Sequence, residues 1–244
     1  MQLTADDVYA SIAWSADVED DDAVLEVADK APKLDIIKID RLFVAKNGYG
    51  IFAKLNERGR KSFYDAKVVE IPSKLEAIAR AECKHQPWML NCMAGAGSGG
   101  PLEDEDPEKI EGLKRFAAVC LEASVLPCGV TVLTSKKPDF IRKEFNERTS
   151  IDQVMFYVEL LVACGFTDVV CSPAEIEAIR ARFEIDVNTP GLRRPSSDTG
   201  DQARVSTLGW ALQAGAKRGV IGRDITKGDP AQNLDAIVAE TITG

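Results

Sequence analysis

Short apolar runs rich in β-branched and aromatic residues alternate along this chain with longer stretches in which apolar residues recur at helical spacing. The alternation can be counted eight times. Near-continuous apolar runs are typical of parallel strands that are covered on both faces. The predicted strands span residues 9–16, 34–39, 61–66, 88–93, 129–134, 168–171, 185–188 and 218–221. The predicted helices span residues 20–31, 47–58, 74–84, 108–123, 150–164, 173–183, 205–214 and 229–240.

Eight successive strand–helix units predict an α/β fold, a (β/α)8 barrel, formed as a single domain over residues 1–244. A length of 244 residues, 45% of them hydrophobic, is usual for one such barrel. Two segments depart from the alternation: the glycine-rich run 95–100 with its acidic continuation 101–106, and the polar stretch 193–201. Because loops after strands build the active face of a barrel, we expect both to be mobile covers, although the first is equally well interpreted as a flexible linker.

Composition narrows the possible partners. No run approaches the roughly 18 to 20 apolar residues that span a bilayer, and residues 1–7 lack a signal-peptide pattern, so we expect a soluble, cytoplasmic protein without a membrane partner. A net charge of −9 argues against nucleic acid as the main partner. An anionic ligand must then be held by a few local cations and backbone amides.

The histidine and cysteine content excludes several kinds of chemistry. Six scattered cysteines without a C-x-x-C pair, and a single histidine, His85, argue against structural zinc and a disulfide framework. We expect the cysteines to be small buried hydrophobes and His85 to lie in a surface connection. Acid and base catalysis would then fall to lysine and carboxylate side chains.

The end of the third predicted strand carries three ionisable residues: Asp65, Lys67 and Glu70. Asp65 and Lys67 are two positions apart, so on an extended backbone they point to the same side, which we expect to be the barrel interior. Lys38, near the end of the second strand, would lie beside them. The cluster is either a buried ion-pair network that stabilises the barrel end or a catalytic group. In the second case, a lysine held among carboxylates stabilises a carbanion and then protonates it.

The sequence from Asp65 to Pro72, D-x-K-x-x-E-I-P, resembles the D-x-K-x-x-D-I-P signature of the orotidine 5′-phosphate decarboxylase family, with glutamate in place of the second aspartate. The resemblance spans the whole chain and is closest in its last third. There, T-P-G-L-R at 189–193, G-D-Q at 200–202 and G-R at 222–223 follow in the family's order and spacing. The residues that the resemblance assigns to the substrate phosphate are Arg193, Gln202, Gly222 and Arg223.

The same resemblance assigns residues to the rest of the substrate. Thr134, at the end of the fifth predicted strand, would hydrogen-bond the pyrimidine ring. Asp17 would bind the ribose after a one-residue shift; without the shift Ala16 takes that position and the contact is lost. Met93 stands where the family commonly has histidine, and Arg194 where it usually has proline.

The resemblance implies an enzyme that decarboxylates orotidine 5′-monophosphate to UMP in de novo pyrimidine biosynthesis, without a metal or organic cofactor. Lys67 would protonate C6 of the ring as carbon dioxide departs, with Asp65 near the leaving carboxylate and Lys38 and Glu70 completing the charge network. It also implies a homodimer in which Glu70 is contributed to the neighbouring subunit's site.

Two alternatives stay open. A catalytically impaired homologue would keep the phosphate site and bind nucleotide without turnover. A magnesium-dependent sugar-phosphate decarboxylase or aldolase of the same barrel group would also carry a D-x-K-x-x-acid strand. The I-P pair at 71–72 and the G-D-Q element at 200–202 argue against this second alternative.

Overall fold

The computed structural model describes residues 3–96, 107–192, 194 and 206–243. Within these residues eight parallel strands form a closed barrel in chain order. The strands are β1 Ile12–Ser15, β2 Ile36–Asp40, β3 Lys61–Val68, β4 Met89–Met93, β5 Leu126–Val130, β6 Asp168–Val170, β7 Asp186–Thr189 and β8 Arg218–Ile221. The helices are α1 Ala5–Ser11, α2 Asp21–Lys30, α3 Arg41–Asn47, α4 Gly50–Glu57, α5 Pro72–Cys83, α6 Pro107–Glu122, α7 Pro138–Glu144, α8 Ser150–Ala163, α9 Ile176–Arg182, α10 Leu208–Gln213, α11 Arg223–Thr226 and α12 Pro230–Thr243.

The barrel closes because the first strand pairs with both the second and the last. Ala13 of β1 is opposite Ile36 of β2 on one side and Val220 of β8 on the other, and both pairs are parallel. Helices separate the strands along the chain, as parallel crossover connections require. The prediction of a (β/α)8 barrel is therefore confirmed.

The strands are apolar on both faces, and each face packs into a different core. Outward side chains such as Trp14, Ile37 and Leu90 pack with the surrounding helices in the larger cluster. The inward cluster fills the barrel itself. Its buried members are Ala13, Ile36, Phe63, Met89, Cys128 and Val220.

A buried ion pair closes the end of the barrel at which the strands begin. Arg218, the first residue of β8, places Nη1 2.6 Å from Oδ1 of Asp168, the first residue of β6. The same Nη1 donates to Oδ1 of Asn188 at 3.2 Å, and the guanidinium lies 4.9 Å from the ring centroid of Trp88. Because Arg218 and Asp168 are both buried, each depends on the other to compensate its charge.

The first predicted strand, 9–16, is wrong in its first half. Residues Ala5–Ser11 form helix α1, and β1 begins only at Ile12. The cause is a capping box: the Thr4 hydroxyl accepts from the backbone N–H of Asp7, and the Asp7 carboxylate accepts from the backbone N–H of Thr4. These reciprocal bonds satisfy two N–H groups at the helix start and outweigh the strand preference of the apolar run.

The fifth predicted strand, 129–134, is displaced towards the C-terminus. The observed strand β5 pairs with β4 from Met89↔Leu126 to Met93↔Val130. Because β4 ends at Met93, the β-branched residues after Val130 have no further ladder to join on that side. Thr134 therefore lies in the loop after β5 and not at a strand end, which corrects that expectation.

Helix boundaries differ where glycine or a tight turn interrupts the chain. The predicted helix 47–58 is α4 alone, because α3 ends at Asn47 and Gly48 adopts a left-handed φ of 81° that only glycine takes easily. Helices α1, α3, α7 and α11 were not predicted. The predicted helix 173–183 begins as a 3-10 turn, Pro173–Glu175, before α9.

Within the described residues no helix is both long and apolar enough to cross a bilayer.

Candidate active site

A polar layer lies directly above the apolar layer that fills the barrel. Since side chains alternate along a strand, the residue two positions after each inward apolar residue also points inward. Ile36 is followed by Lys38, Phe63 by Asp65, and Met89 by Asn91. On three neighbouring strands the inward side chains therefore change from apolar to polar within two residues.

Asp65 is the centre of this layer. Its Oδ2 lies 2.9 Å from Nζ of Lys38 and 2.6 Å from Nζ of Lys67, so both ammonium groups share one carboxylate oxygen. Lys38 and Asp65 are largely buried, whereas Lys67 is partly exposed towards the opening. The predicted neighbourhood of Lys38, Asp65 and Lys67 is thus found in the structure.

The carboxyl group of Asp65 stays ionised in this setting. Burial raises its pKa, but the charges of Lys38 and Lys67, with hydrogen bonds from Lys67 and Asn91, outweigh burial and lower the pKa to about 2. At neutral pH a fixed negative charge therefore lies between the side chains of Lys38 and Lys67. The network satisfies Asp65 while leaving Lys67 able to face a ligand.

Lys67 reaches Asp65 through a bulge and not through regular strand alternation. Its φ is +45°, a left-handed conformation that is uncommon outside glycine. The register between β3 and β4 shifts from Tyr64↔Leu90 to Val68↔Cys92, so β3 carries extra residues at this point. The predicted convergence of Asp65 and Lys67 is correct, but the predicted extended backbone between them is wrong.

Asn91 supports both residues, and sequence reasoning gave it no role. Its side-chain Nδ2 donates to Oδ1 of Asp65 at 2.7 Å, and its Oδ1 accepts from the backbone N–H of Lys67 at 2.7 Å. Asn91 is fully buried. The signal was available: an asparagine two positions after the inward Met89, on the strand next to Asp65, had to face the same interior.

A cavity of about 320 Å³ opens above this layer. Its wall contains six of the predicted site residues, supplied by the ends of strands and by the loops that follow them. They are Asp17, Lys38, Asp65, Lys67, Thr134 and Gly222. Apolar side chains such as Phe63 and Val130 complete the wall, which suits a ligand with one planar face and several polar groups.

The position of Asp17 favours the shifted alignment over the unshifted one. Asp17 lines the cavity, where its Oδ1 accepts a 3.3 Å hydrogen bond from the Ser15 hydroxyl. Ala16 is instead buried in the core between strands and helices. Asp17 also lies near Gly222, since a Cβ built at Gly222 would be 3.5 Å from Oδ2 of Asp17. The first and last strands thus bring two predicted residues to one side of the cavity.

Two predicted residues that the structure describes, Glu70 and Arg223, do not line the cavity. Glu70 is exposed and accepts only a local 3.1 Å hydrogen bond from the N–H of Ile71 among the bonds described for it. Arg223 is exposed at the start of α11, next to Gly222 but outside the cavity wall. Arg193 and Gln202 lie outside the described residues.

The remaining polar residues singled out by the sequence have structural surroundings. Arg194 forms an ion pair with Glu240 of α12. His85 lies exposed in the turn after α5, as expected, and stacks on Tyr49 with ring centroids 3.9 Å apart. All six cysteines are buried free thiols, as predicted. Within the part of the chain described, no three His, Cys, Asp or Glu side chains group as metal ligands.

The chain forms a closed parallel barrel with a lysine–aspartate–lysine network at the ends of its second and third strands. These features define a class of α/β-barrel enzymes that use charged side chains at the carboxyl ends of the strands. The sequence profile of the Orotidine 5′-phosphate decarboxylase / HUMPS family matches residues 11–237. The chain belongs to that family.

Individual relatives agree with the family assignment. The chain is 33% identical over 235 residues to the orotidine 5′-phosphate decarboxylase of Pasteurella multocida, covering 94% of this chain and 97% of that one. It is also 33% identical over 223 residues to the enzyme of the same name from Syntrophomonas wolfei, covering 89% and 91%. A crystal structure of orotidine 5′-phosphate decarboxylase from Lactobacillus acidophilus has the same fold, with a TM-score of 0.78 at 23% identity, over 95% of this chain and 99% of that one.

Proposed function

We propose that this chain decarboxylates orotidine 5′-monophosphate to UMP in de novo pyrimidine biosynthesis. The observation that carries the proposal is the network in which Lys38 and Lys67 share one oxygen of Asp65 at the mouth of a cavity. Relatives that bear the name of this enzyme match nearly the full length of the chain. The network supplies the two properties that the reaction needs, a fixed negative charge and an adjacent proton donor.

In the proposed reaction Asp65 acts on the leaving carboxylate, and Lys67 acts on the C6 atom that the carboxylate leaves. The ionised Asp65 lies beside the substrate carboxylate and disfavours its charge, which is lost when carbon dioxide leaves. The bond between C6 and the carboxylate carbon breaks, and its electron pair stays on C6. Lys67 stabilises that charge and transfers its Nζ proton to C6, after which the neutral amine regains a proton from water. Lys38 keeps Asp65 ionised throughout.

The cavity wall suggests how the substrate is oriented. Asp17 and Thr134, on different sides of the cavity, would hold the ribose hydroxyls and the pyrimidine ring respectively. The phosphate would lie towards Gly222, beyond which the Arg223 side chain begins. Arg193 and Gln202 are proposed to complete the phosphate site. In this arrangement two arginines and backbone amides bind the phosphate of a substrate that an acidic protein would otherwise repel.

We also propose that the protein acts as a single-domain homodimer in the cytoplasm, with Glu70 reaching the partner's cavity. Glu70 is flanked by Val69 and Ile71, which are 59% and 60% exposed. Adjacent large apolar side chains exposed on a surface favour a region that a partner protein covers. A partner covering them would bury the apolar residues and bring the acid of Glu70 towards a second site.

The test is the loss of the orotate-type ultraviolet absorbance when purified protein is mixed with orotidine 5′-monophosphate, with and without a chelator. Turnover that the chelator does not change is the expected result. Turnover abolished by the chelator and restored by magnesium would instead indicate the sugar-phosphate branch of the barrel group. Tight UMP binding without any turnover would indicate an impaired homologue, and either result would overturn the proposal.

A further inference from the structure

Two of the buried thiols, which do not line the cavity, lie next to each other. Cys83 is the last residue of α5 and Cys120 lies in the last turn of α6, and their Sγ atoms are 3.9 Å apart. A disulfide has an S–S distance of about 2.05 Å, so bonding would require the sulfurs to approach by roughly 2 Å. Side-chain rotation with a small helix shift supplies a movement of that size.

The two helices are held side by side along their length. Near their starts, Gly112 of α6 packs so closely on Pro72 of α5 that an added Cβ would be 2.7 Å from the Pro72 Cα. Near their ends, Nη1 of Arg80 in α5 lies 3.8 Å from Oε2 of Glu122 in α6. The packing of α5 on α6 therefore keeps the two sulfurs close together in the folded protein.

Cys83 is also the cysteine best placed to react. It lines a shallow, open depression together with Arg80, Lys84 and Glu122, so an oxidant can approach its sulfur from solvent. The hydrogen bond with Cys120 lowers the pKa of Cys83 against the effect of burial. The pKa is raised in the other five cysteines: Cys92, Cys120, Cys128, Cys164 and Cys171.

We propose that Cys83 and Cys120 form an oxidation site that a hydroperoxide converts into a disulfide. The Cys83 thiolate attacks the peroxide oxygen, which gives a sulfenic acid at Cys83 and releases the alcohol, or water when the oxidant is hydrogen peroxide. Cys120 then attacks the sulfenic sulfur, the S–S bond forms and a second water leaves. Two thiols are oxidised by two electrons in total, and the peroxide is reduced by the same two.

The cross-link would join the ends of two helices that flank β4, the strand that carries Asn91. It closes a loop of 37 residues, which constrains the unfolded chain more than the folded one. Both cysteines lie at the C-terminal ends of their helices, opposite the end of the barrel at which the cavity opens. The oxidised protein should therefore resist heat better, by roughly 5–10 °C in Tm, with turnover unchanged.

The experiment treats the folded protein with a small excess of hydrogen peroxide, then counts free thiols after denaturation and maps peptides by mass. The expected result is the loss of two of the six thiols and a linked peptide pair containing Cys83 and Cys120, lighter by about 2 Da and reversed by dithiothreitol. Cys83→Ala should lose no thiol pair. Cys164→Ala is the matched control, since it also removes a buried thiol but should still form the link.

The variant Cys120→Ala separates the two steps. Without the resolving thiol, the sulfenic acid at Cys83 should persist and be trapped by dimedone. Circular dichroism of each variant shows that it is folded before oxidation. A linked pair other than Cys83–Cys120, an unchanged thiol count in the parent, or dimedone labelling at a different cysteine would overturn the proposal.

Discussion

The side-chain amide of Asn91 donates a 2.7 Å hydrogen bond to Oδ1 of Asp65, the carboxylate oxygen that the two lysines leave free. The side-chain Oδ1 of Asn91 accepts a hydrogen bond from the backbone N–H of Lys67, and Lys67 is the residue with a left-handed φ. A single buried side chain therefore fixes both the orientation of the acid and the position of the proposed proton donor. Asn91 is a positioning residue that acts through Asp65 and Lys67.

Asn91→Ala should lower kcat by roughly 10- to 100-fold while KM changes little, because hydrogen bonds to a charged group contribute about 1.5–3 kcal/mol. Steady-state kinetics separates the two constants. Asn188→Ala is the matched control: it removes a buried asparagine from the opposite end of the barrel, where it contacts Asp168 and Arg218. That variant should lose stability and keep kcat. Equal losses of kcat in both variants would indicate that Asn91 acts only on folding.

Lys67→Ala should remove turnover by orders of magnitude and leave UMP binding measurable. Positioned proton transfer contributes about 10²- to 10⁴-fold, and loss of the adjacent positive charge adds to this effect. The measurement pairs the ultraviolet assay with calorimetric titration of UMP. Lys61→Ala is the control, because Lys61 begins the same strand and pairs with Asp35 at the other end of the barrel. Near-normal turnover in Lys67→Ala would reject the proposed mechanism.

The sequence predicted the fold because barrel topology depends on a pattern that is repeated eight times. Each strand is apolar on both faces, so a displaced boundary at β1 or β5 leaves the number and order of strands unchanged. The boundaries themselves depend on local chemistry and pairing. The Thr4–Asp7 capping box extends a helix into an apolar run, and the end of β4 at Met93 decides where β5 stops.

The site was predictable to the extent that side chains follow strand alternation. Lys38 and Asp65 occupy inward positions that the pattern gives directly. Lys67 reaches its position through a β-bulge and a positive φ, which no alternation rule contains. Glu70 is exposed and does not line its own cavity, and sequence alone cannot give the position of a residue whose proposed partner is another chain.

The stability of the protein should depend on pH through Asp65 in strongly acidic solution. Its pKa is about 2 in the folded protein and about 3.9 when unfolded, so the folded state binds its proton less readily. The resulting stabilisation, roughly 2 kcal/mol, is fully present above the unfolded pKa and is lost as pH falls from about 4 to 2. Urea unfolding of the parent and Asp65→Asn should therefore differ at pH 5 and converge near pH 2. A difference that is constant with pH would contradict the low pKa.

Arg218→Leu should destabilise the protein by about 3–5 kcal/mol, because it leaves the buried carboxylate of Asp168 without its partner. For a chain of this length the loss corresponds to a fall in Tm of roughly 6–20 °C. Calorimetry or thermal circular dichroism measures it directly. Lys30→Ala removes an exposed ion pair with Glu26 and should leave Tm almost unchanged. Similar losses of stability in the two variants would show that burial does not determine how much an ion pair stabilises this protein.

The proposed exchange of Glu70 between subunits predicts that two inactive variants restore each other. In a heterodimer of Lys67→Ala and Glu70→Ala, one cavity receives both substitutions, while the other receives an intact Lys67 from its own chain and an intact Glu70 from the partner. Random mixing makes half of the dimers mixed, so activity should return to about a quarter of the parent value.

The measurement mixes the two purified variants under conditions that allow subunits to exchange, then follows turnover over time. A mixture of Lys67→Ala with the double variant that carries both substitutions is the control, because no cavity in it can be intact. Val69→Asp should slow or prevent recovery, since it places a charge in the exposed apolar surface beside Glu70. Activity no greater than the sum of the separate variants, in a mixture shown by native mass spectrometry to contain heterodimers, would place Glu70 outside the partner's site.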